Sequence, residues 1–134
     1  MVNIMDCLFC KIANGEIPSL KIYEDDTVIA FLDINPDSNG HTLIVPKKHY
    51  QDLDDIDIDA LTKLYEAAKK VKKLLEEKLN CEGMSLLQNN GFVQEIKHYH
   101  LHLKPFYKGI DTIELVKHKE SIKDPKEIYE IIKN

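Results

Sequence analysis

The sequence lacks any excess of positive charge, because 18 lysine and arginine residues stand against 23 aspartate and glutamate residues, for a formal net charge of −5. Proteins that hold nucleic acid through counterion release need a basic surface, so we expect no nucleic-acid partner. An anionic ligand would have to be held by local hydrogen-bond donors instead.

Long apolar runs are also missing. Leu43 to Pro46 is among the longest, far short of the roughly 20 residues that cross a bilayer. Residues 1–6 have neither the positive nor the apolar region of a signal peptide. We therefore expect a cytoplasmic protein with no membrane partner, folded as one domain, since single domains usually hold about 100–200 residues.

Cysteine is scarce, and the 3 cysteines cannot all pair with one another. Two residues separate Cys7 from Cys10. This spacing by itself leaves three interpretations open: a redox pair, half of a zinc site, or chance. Cys81 matches no partner pattern and is most simply a small apolar residue at a helix end.

The apolar pattern predicts a mixture of helices and strands. From 59 to 79, apolar residues recur at three- and four-residue steps, which is typical of one long amphipathic helix. A short helical turn at 7–15 precedes it, and a further helix begins near Pro125. Strands are predicted at 21–24, 27–32, 41–46, 83–88 and 98–104, the first three as an antiparallel meander.

Three histidines alternate along the last of these strands. Side chains in a strand have a period of two, so His98, His100 and His102 project from one face, about 6.5–7 Å apart. Three neighbouring imidazolium ions would repel one another, so at least one ring should stay neutral and nucleophilic. A histidine cluster without function and a purely metal-binding cluster are the alternatives.

The run from His98 to Lys104 resembles the signature of the histidine triad (HIT) family of nucleotide-binding proteins. Other segments resemble the family's blocks in the same order, from Cys7 to about Phe106: 7–12, 15–18, 23–26, 30–34, 40–49 and 89–91. The resemblance implies an α+β fold with a five-stranded antiparallel sheet, one long helix and a short N-terminal helix over residues 1–110. Residues 111–134 would be a C-terminal helical extension packed on the same domain. Members of this branch are commonly homodimers, so we expect a homodimer.

The resemblance also implies a hydrolase that cleaves purine nucleotide derivatives, such as nucleoside phosphoramidates or adenylates, at the α-phosphate. His100 matches the histidine that attacks phosphorus and forms a nucleotidyl-histidine, which water then hydrolyses. His102 matches a phosphate-binding histidine, and His41 a further histidine on the same face. Neutral imidazole suits this work because it is nucleophilic at pH 7 and its phosphoramidate is labile.

Further matches concern the nucleotide. Asn89 corresponds to a phosphate-contacting amide, Gln94 to a polar residue near the leaving group, and Asp33 to an acidic residue that accepts from both ribose hydroxyls. The base slot would be formed by Phe9, Ile12 and Ile34. From the residues alone, these three would be ordinary core residues and Asp33 equally a loop cap.

Zinc-bearing members of the family supply four ligands that match Cys7, Cys10, His49 and His98. A closed site with two cysteines and two histidines suits structural zinc, which is almost always tetrahedral. We therefore expect zinc as a structural cofactor.

The chain departs from the family pattern in the loop before the triad, which is two residues shorter, lacks the family's glycines and has Glu95 in place of Ser or Thr. Lys104 also replaces an apolar residue. Glycine lets main-chain N–H groups approach a phosphate closely, so its loss implies weaker capture of the α-phosphate. Two alternatives follow: a dinucleoside polyphosphate hydrolase, and a nucleotide-binding or zinc-stabilised interaction protein with weak or no turnover.

Overall fold

The computed structural model describes residues 6–134. The expectation that residues 1–6 form no signal peptide therefore lies almost wholly outside the described residues. No helix in this described part has both the length and the apolar character needed to cross a membrane. The cytoplasmic location stays a prediction.

The predicted α+β fold is confirmed. Five antiparallel strands form one sheet in the order β1-β2-β3-β5-β4. The elements along the chain are α1 (Leu8–Ala13), β1 (Lys21–Glu24), β2 (Val28–Leu32), β3 (Thr42–Pro46), α2 (Ile58–Leu79), β4 (Gly83–Leu87), β5 (Leu101–Phe106) and α3 (Pro125–Lys133). Single 3₁₀ turns lie at Gly91–Val93 and Lys119–Ser121.

The long helix α2 covers one face of the sheet. It begins after Asp57, whose carboxylate accepts from the Ala60 N–H at 2.7 Å, and it ends at Asn80 in the left-handed conformation, with φ of 56°. Its apolar stripe packs on alternate strand residues such as Ala30, Ile44 and Leu101 to form the larger of two cores. This face of the sheet is therefore closed to solvent and forms the hydrophobic core.

The opposite face is only partly covered, by the short helix α1. Here the other alternate residues of β2 and β3, among them Phe31 and Leu43, pack against Phe9 and Ile12. In the pairing of β3 with β5, Leu43 lies opposite His102, which places His102 on this face. A helix of 6 residues, less than two turns, cannot cover a five-stranded sheet, so the histidines border an open region.

The last strand begins later than the sequence predicts. It runs over Leu101–Phe106 rather than 98–104, because the Tyr99 N–H donates to the Tyr50 carbonyl at 2.6 Å instead of pairing with β3. Pro105 does not end the strand either. The Phe106 carbonyl accepts from Glu82, so the Pro105 nitrogen faces the other side, beyond the last β3 pair.

The C-terminal extension contains the predicted helix, α3, but every residue from 112 to 134 is exposed. The packing on its own domain that we expected for 111–134 is thus not seen in the single chain. The apolar residues of α3, including Ile131 and Ile132, are exposed to solvent and are not packed against the sheet or α2. The boundary at residue 110 stays a prediction.

Gly40 is required where the loop before β3 passes α2 closely. Its φ is +93°, and a Cβ there would lie 2.5 Å from Leu79 Cδ1 and 3.3 Å from Pro105 Cγ. Gly91 also has a positive φ, of +70°, but a Cβ there would meet nothing within 4 Å.

We expect Gly40→Ala to lower the free energy of unfolding by about 1 kcal/mol more than Gly91→Ala, because only the first substitution forces the Leu79 side chain to move away. Urea unfolding of both variants measures the difference, and equal losses would show that the close approach does not matter.

Candidate functional site

The three histidines lie in a row on the partly covered face, as their alternation predicts. The His100 and His102 ring centroids are 4.9 Å apart. The Phe9 ring is nearly perpendicular to the rings of His100 and His98, with centroids 5.0 Å and 6.0 Å away. The intervening Tyr99, Leu101 and Leu103 lie in the core beneath α2. The strand period therefore sorts the apolar and imidazole side chains onto opposite faces.

Main-chain carbonyls select the tautomers of the first two rings. His98 Nε2 donates to the Pro46 carbonyl at 2.8 Å, which leaves the Nδ1 lone pair free. His100 Nδ1 donates to the His98 carbonyl at 2.7 Å, which leaves its Nε2 lone pair free. Burial lowers the pKa of His98 to about 4 and holds the pKa of His100 below its ordinary value. Both rings are thus neutral at pH 7, and His100 presents a nucleophilic nitrogen.

His41 and a main-chain N–H give His102 the tautomer opposite to that of His100. The Asp37 N–H donates to His41 Nδ1 at 3.0 Å, so His41 carries its hydrogen on Nε2 and donates it to His102 Nδ1 at 2.9 Å. The remaining nitrogen of His102, Nε2, must then carry a hydrogen. Burial lowers the pKa of His41 and brings that of His102 to about 4. A lone pair on His100 and an N–H on His102 therefore stand side by side.

A second cluster lies at the other end of the row. Cys7 Sγ is 3.3 Å from His98 Nδ1, and Cys10 Sγ is 3.3 Å from His49 Nδ1 and 3.4 Å from His98 Nδ1. A tetrahedral ion with bonds of about 2.0–2.3 Å holds its ligand atoms about 3.5 Å apart, so these spacings fit one ion.

The chemistry of this donor set also fits a metal. Burial next to Cys7 raises the pKa of Cys10 to about 12, so without a cation the thiol keeps its proton, whereas metal binding would replace it. The free lone pair of His98 already points to the sulfur atoms. Cys7, Cys10, His49 and His98 could hold a metal ion.

A cavity of about 620 Å³ opens on the histidine face. It brings together most of the predicted nucleotide-binding residues with two of the three triad histidines. Its wall includes Phe9, Ile12, Asp33, Ile34, His41, Asn89, His100 and His102. Phe9 and Ile12 are buried in the smaller core as well, so they contribute both to the core and to the cavity wall. Ile34 is 82% exposed, at the rim.

Asp33 serves two neighbours. One of its oxygens accepts from the Asn35 N–H at 2.9 Å as a loop cap, and the other lies 3.7 Å from His41 Nε2. Asp33, His41 and His102 also form a set with metal-ligand spacing. Their facing nitrogens are already engaged in the bond between His41 and His102, so we assign no metal to this set.

Gln94 does not line the cavity where the sequence places it. Its side chain is 3% exposed and donates from Nε2 to the Gln51 carbonyl at 2.7 Å. The shortened loop turns at Gly91–Val93, which directs Gln94 inward and leaves Glu95 on the cavity wall.

The family resemblance implies a main-chain carbonyl as the acceptor for His100, but sequence reasoning did not identify which main-chain groups orient the rings. The carbonyls of Pro46 and His98 and the N–H of Asp37 orient the rings, yet every residue type carries such groups. It also missed the rim ion pair between Lys104 and Asp37, at 2.7 Å. No residue pattern could reveal either one.

Comparisons with known proteins agree with this geometry. A family model described as HIT domain matches residues 14–109. An uncharacterized HIT-like protein of Methanocaldococcus jannaschii is 50% identical over 105 residues, covering 77% of this chain and 81% of that protein. An adenosine 5′-monophosphoramidase of Candida albicans is 41% identical over 111 residues, or 78% of this chain and 73% of that protein. A zinc-bound histidine triad family protein from Mycobacterium smegmatis has a TM-score of 0.77 at 31% identity and 89% coverage of both chains.

Proposed function

The chain belongs to the HIT family, and from that premise we propose that it hydrolyses purine nucleotide derivatives at the α-phosphate, with His100 as nucleophile. The observation that carries the proposal is the pair of neighbouring tautomers: His100 offers a lone pair and His102 an N–H to the same cavity. The similarity to an adenosine 5′-monophosphoramidase supports nucleoside phosphoramidates as the substrate class.

In the first step, His100 Nε2 forms a bond to the α-phosphorus while the bond from phosphorus to the leaving nitrogen breaks. The leaving amine keeps the electron pair and takes up a proton from solvent. The His98 carbonyl, which accepts from His100 Nδ1, stabilises the positive charge that grows on the ring. The His102 Nε2–H donates to a phosphate oxygen as its charge develops. Water then attacks phosphorus and loses a proton to solvent, while the bond from phosphorus to His100 Nε2 breaks. The product is nucleoside monophosphate, and His100 is neutral again.

The nucleoside would lie between α1 and the loop after β2. Asp33 would accept from the ribose hydroxyls through the oxygen that its loop bond leaves free, and Phe9, Ile12 and Ile34 would enclose the base. Asn89 would contact the phosphate. Gln94 would act indirectly, by holding the shortened loop to Gln51.

A binding protein without turnover is the second candidate, and the loop after β4 favours it. Gly91 is the only glycine between 89 and 97, and its carbonyl accepts from Lys97 Nζ at 2.9 Å. Few main-chain N–H groups in this loop can therefore approach a phosphate as closely as glycine allows.

Substitution of the nucleophile tests both candidates. We expect His100→Ala to lose about 10³-fold or more of the turnover of adenosine 5′-phosphoramidate, because no other group can form the phosphorus–nitrogen bond. His118→Ala, an exposed histidine outside the cavity, is the matched control and should keep full activity. Release of adenosine monophosphate is measured by chromatography, with a dinucleoside polyphosphate as parallel substrate. Turnover that survives His100→Ala would exclude the nucleophile, and binding without release by the parent would favour the second candidate.

We also propose structural zinc at Cys7, Cys10, His49 and His98. The buried sulfur and nitrogen ligands, their spacing and the zinc-bound relative support it. When bound, the ion would tie α1 to the end of β3 and to the residue that holds the nucleophile. It would supply folding energy rather than take part in the reaction.

Cysteine substitution separates zinc from the redox alternative. We expect about one zinc per chain in the parent, and its loss together with several kcal/mol of stability in Cys7→Ser. Cys81→Ser removes a buried cysteine outside the cluster and should keep the metal. Elemental analysis and thermal unfolding measure both quantities. Equal zinc content in the two variants would contradict the site.

A homodimer is the third element of the proposal. The free edge of β4 carries half-exposed Leu86 and Leu87, and α3 exposes Ile131 and Ile132, so the single chain leaves much apolar surface for a second copy to cover.

We expect light scattering to give twice the 15.5 kDa mass of the chain. Leu86→Glu should shift the protein toward monomer, because it places a charge in the contact. Leu20→Glu, near the opposite sheet edge, is the control and should stay dimeric. A parent that elutes as a monomer at micromolar concentration would contradict the assignment.

A further inference from the structure

The strand order divides the cavity into two halves. His102 lies on β5 and His100 directly precedes it, and β5 lies between β3 and β4. These two rings therefore separate the part of the cavity wall on the β3 side from the part on the β4 side. The half on the β3 side contains Asp33 and Ile34, from the loop between β2 and β3, which the proposed function gives to the nucleoside. The half next to β4 contains residues that end or follow that strand: Leu87, Asn89, Val93 and Glu95. A nucleotide in the first half therefore directs its leaving group toward the second.

Glu95 is the charged residue of the second half. It is exposed at the cavity wall. It lines the same cavity as the His100 and His102 rings. Its side chain therefore borders the space that the proposed leaving group would enter.

No partner neutralises Glu95 within residues 6–134, where its carboxylate has neither a hydrogen bond nor an ion pair. Lys97, two residues on, donates to the Gly91 carbonyl instead, and Lys104 is held by Asp37 at 2.7 Å. The cavity wall therefore presents three carboxylates, of Asp33, Asp37 and Glu95, against the single ammonium of Lys104.

We propose that Glu95 determines leaving-group specificity and favours phosphoramidates whose leaving amine carries a second, positively charged group. The inference rests on the proposed hydrolysis and refines its substrate class. An unpaired carboxylate attracts an ammonium group and repels a carboxylate, sulfate or phosphate on the departing fragment. Because Glu95 is exposed, solvent screens the effect, and each charge should change kcat/KM by about 2- to 5-fold.

Three adenosine 5′-phosphoramidates with the same phosphorus–nitrogen linkage test the proposal. Their amines are 1,3-diaminopropane, n-butylamine and 4-aminobutyrate, which place an ammonium, a methyl or a carboxylate group at matched positions. We expect the parent to prefer them in that order. Each value is divided by that of Glu95→Gln for the same substrate, because this ratio removes the intrinsic differences among the amines.

The variants make the outcome decisive. Glu95→Gln should lose the charge preference, and Glu95→Lys should reverse it. Glu77→Gln, an exposed carboxylate on α2 outside the cavity, is the control and should keep the parent ranking. Added salt should weaken the preference of the parent and leave Glu95→Gln unchanged. Hydrolysis of all three substrates with the same ratio of parent to Glu95→Gln for each of them overturns this inference alone. No hydrolysis of any of them overturns the proposed function as well.

Discussion

The site depends on the three bonds of one residue, His98. Its Nε2–H is held by the Pro46 carbonyl, its Nδ1 faces the sulfur atoms of Cys7 and Cys10, and its own carbonyl accepts from His100. The ring is fully buried, so each polar atom must find a partner inside the protein. A displacement of His98 would disturb the cysteine and histidine cluster and the tautomer of His100 together. The structural and the chemical halves of the site are thus one connected network.

In the proposed reaction, neutral groups would do most of the work that cations perform in other phosphate sites. Burial keeps His41, His98, His100 and His102 uncharged, and hydrogen bonds decide which nitrogen of each ring carries the hydrogen. A lone pair and an N–H could then face one phosphorus centre without repulsion between them. In the proposed reaction Glu95, on the same wall, would discriminate among leaving groups by charge rather than bind phosphate.

Much of the fold and of the site follows from local patterns. The period of α2 and the alternation around His100 are short-range features, so the long helix and the shared histidine face could be predicted with few errors. The four metal-ligand positions came from the family resemblance, because the cysteine spacing alone left three interpretations open. Gln94 was placed on the cavity wall and lies inward, since the path of a shortened loop depends on what it packs against.

By itself, the sequence determined which side chains share a face and how charge is balanced, because these properties depend on spacing and residue type. Only the tertiary structure decided the tautomers, the cavity and the position of Glu95. Those depend on main-chain groups brought together from distant parts of the chain, as Pro46 meets His98 and Asp37 meets His41. Main-chain carbonyls and N–H groups are alike in almost every residue, so their meeting leaves no mark in the order of side chains.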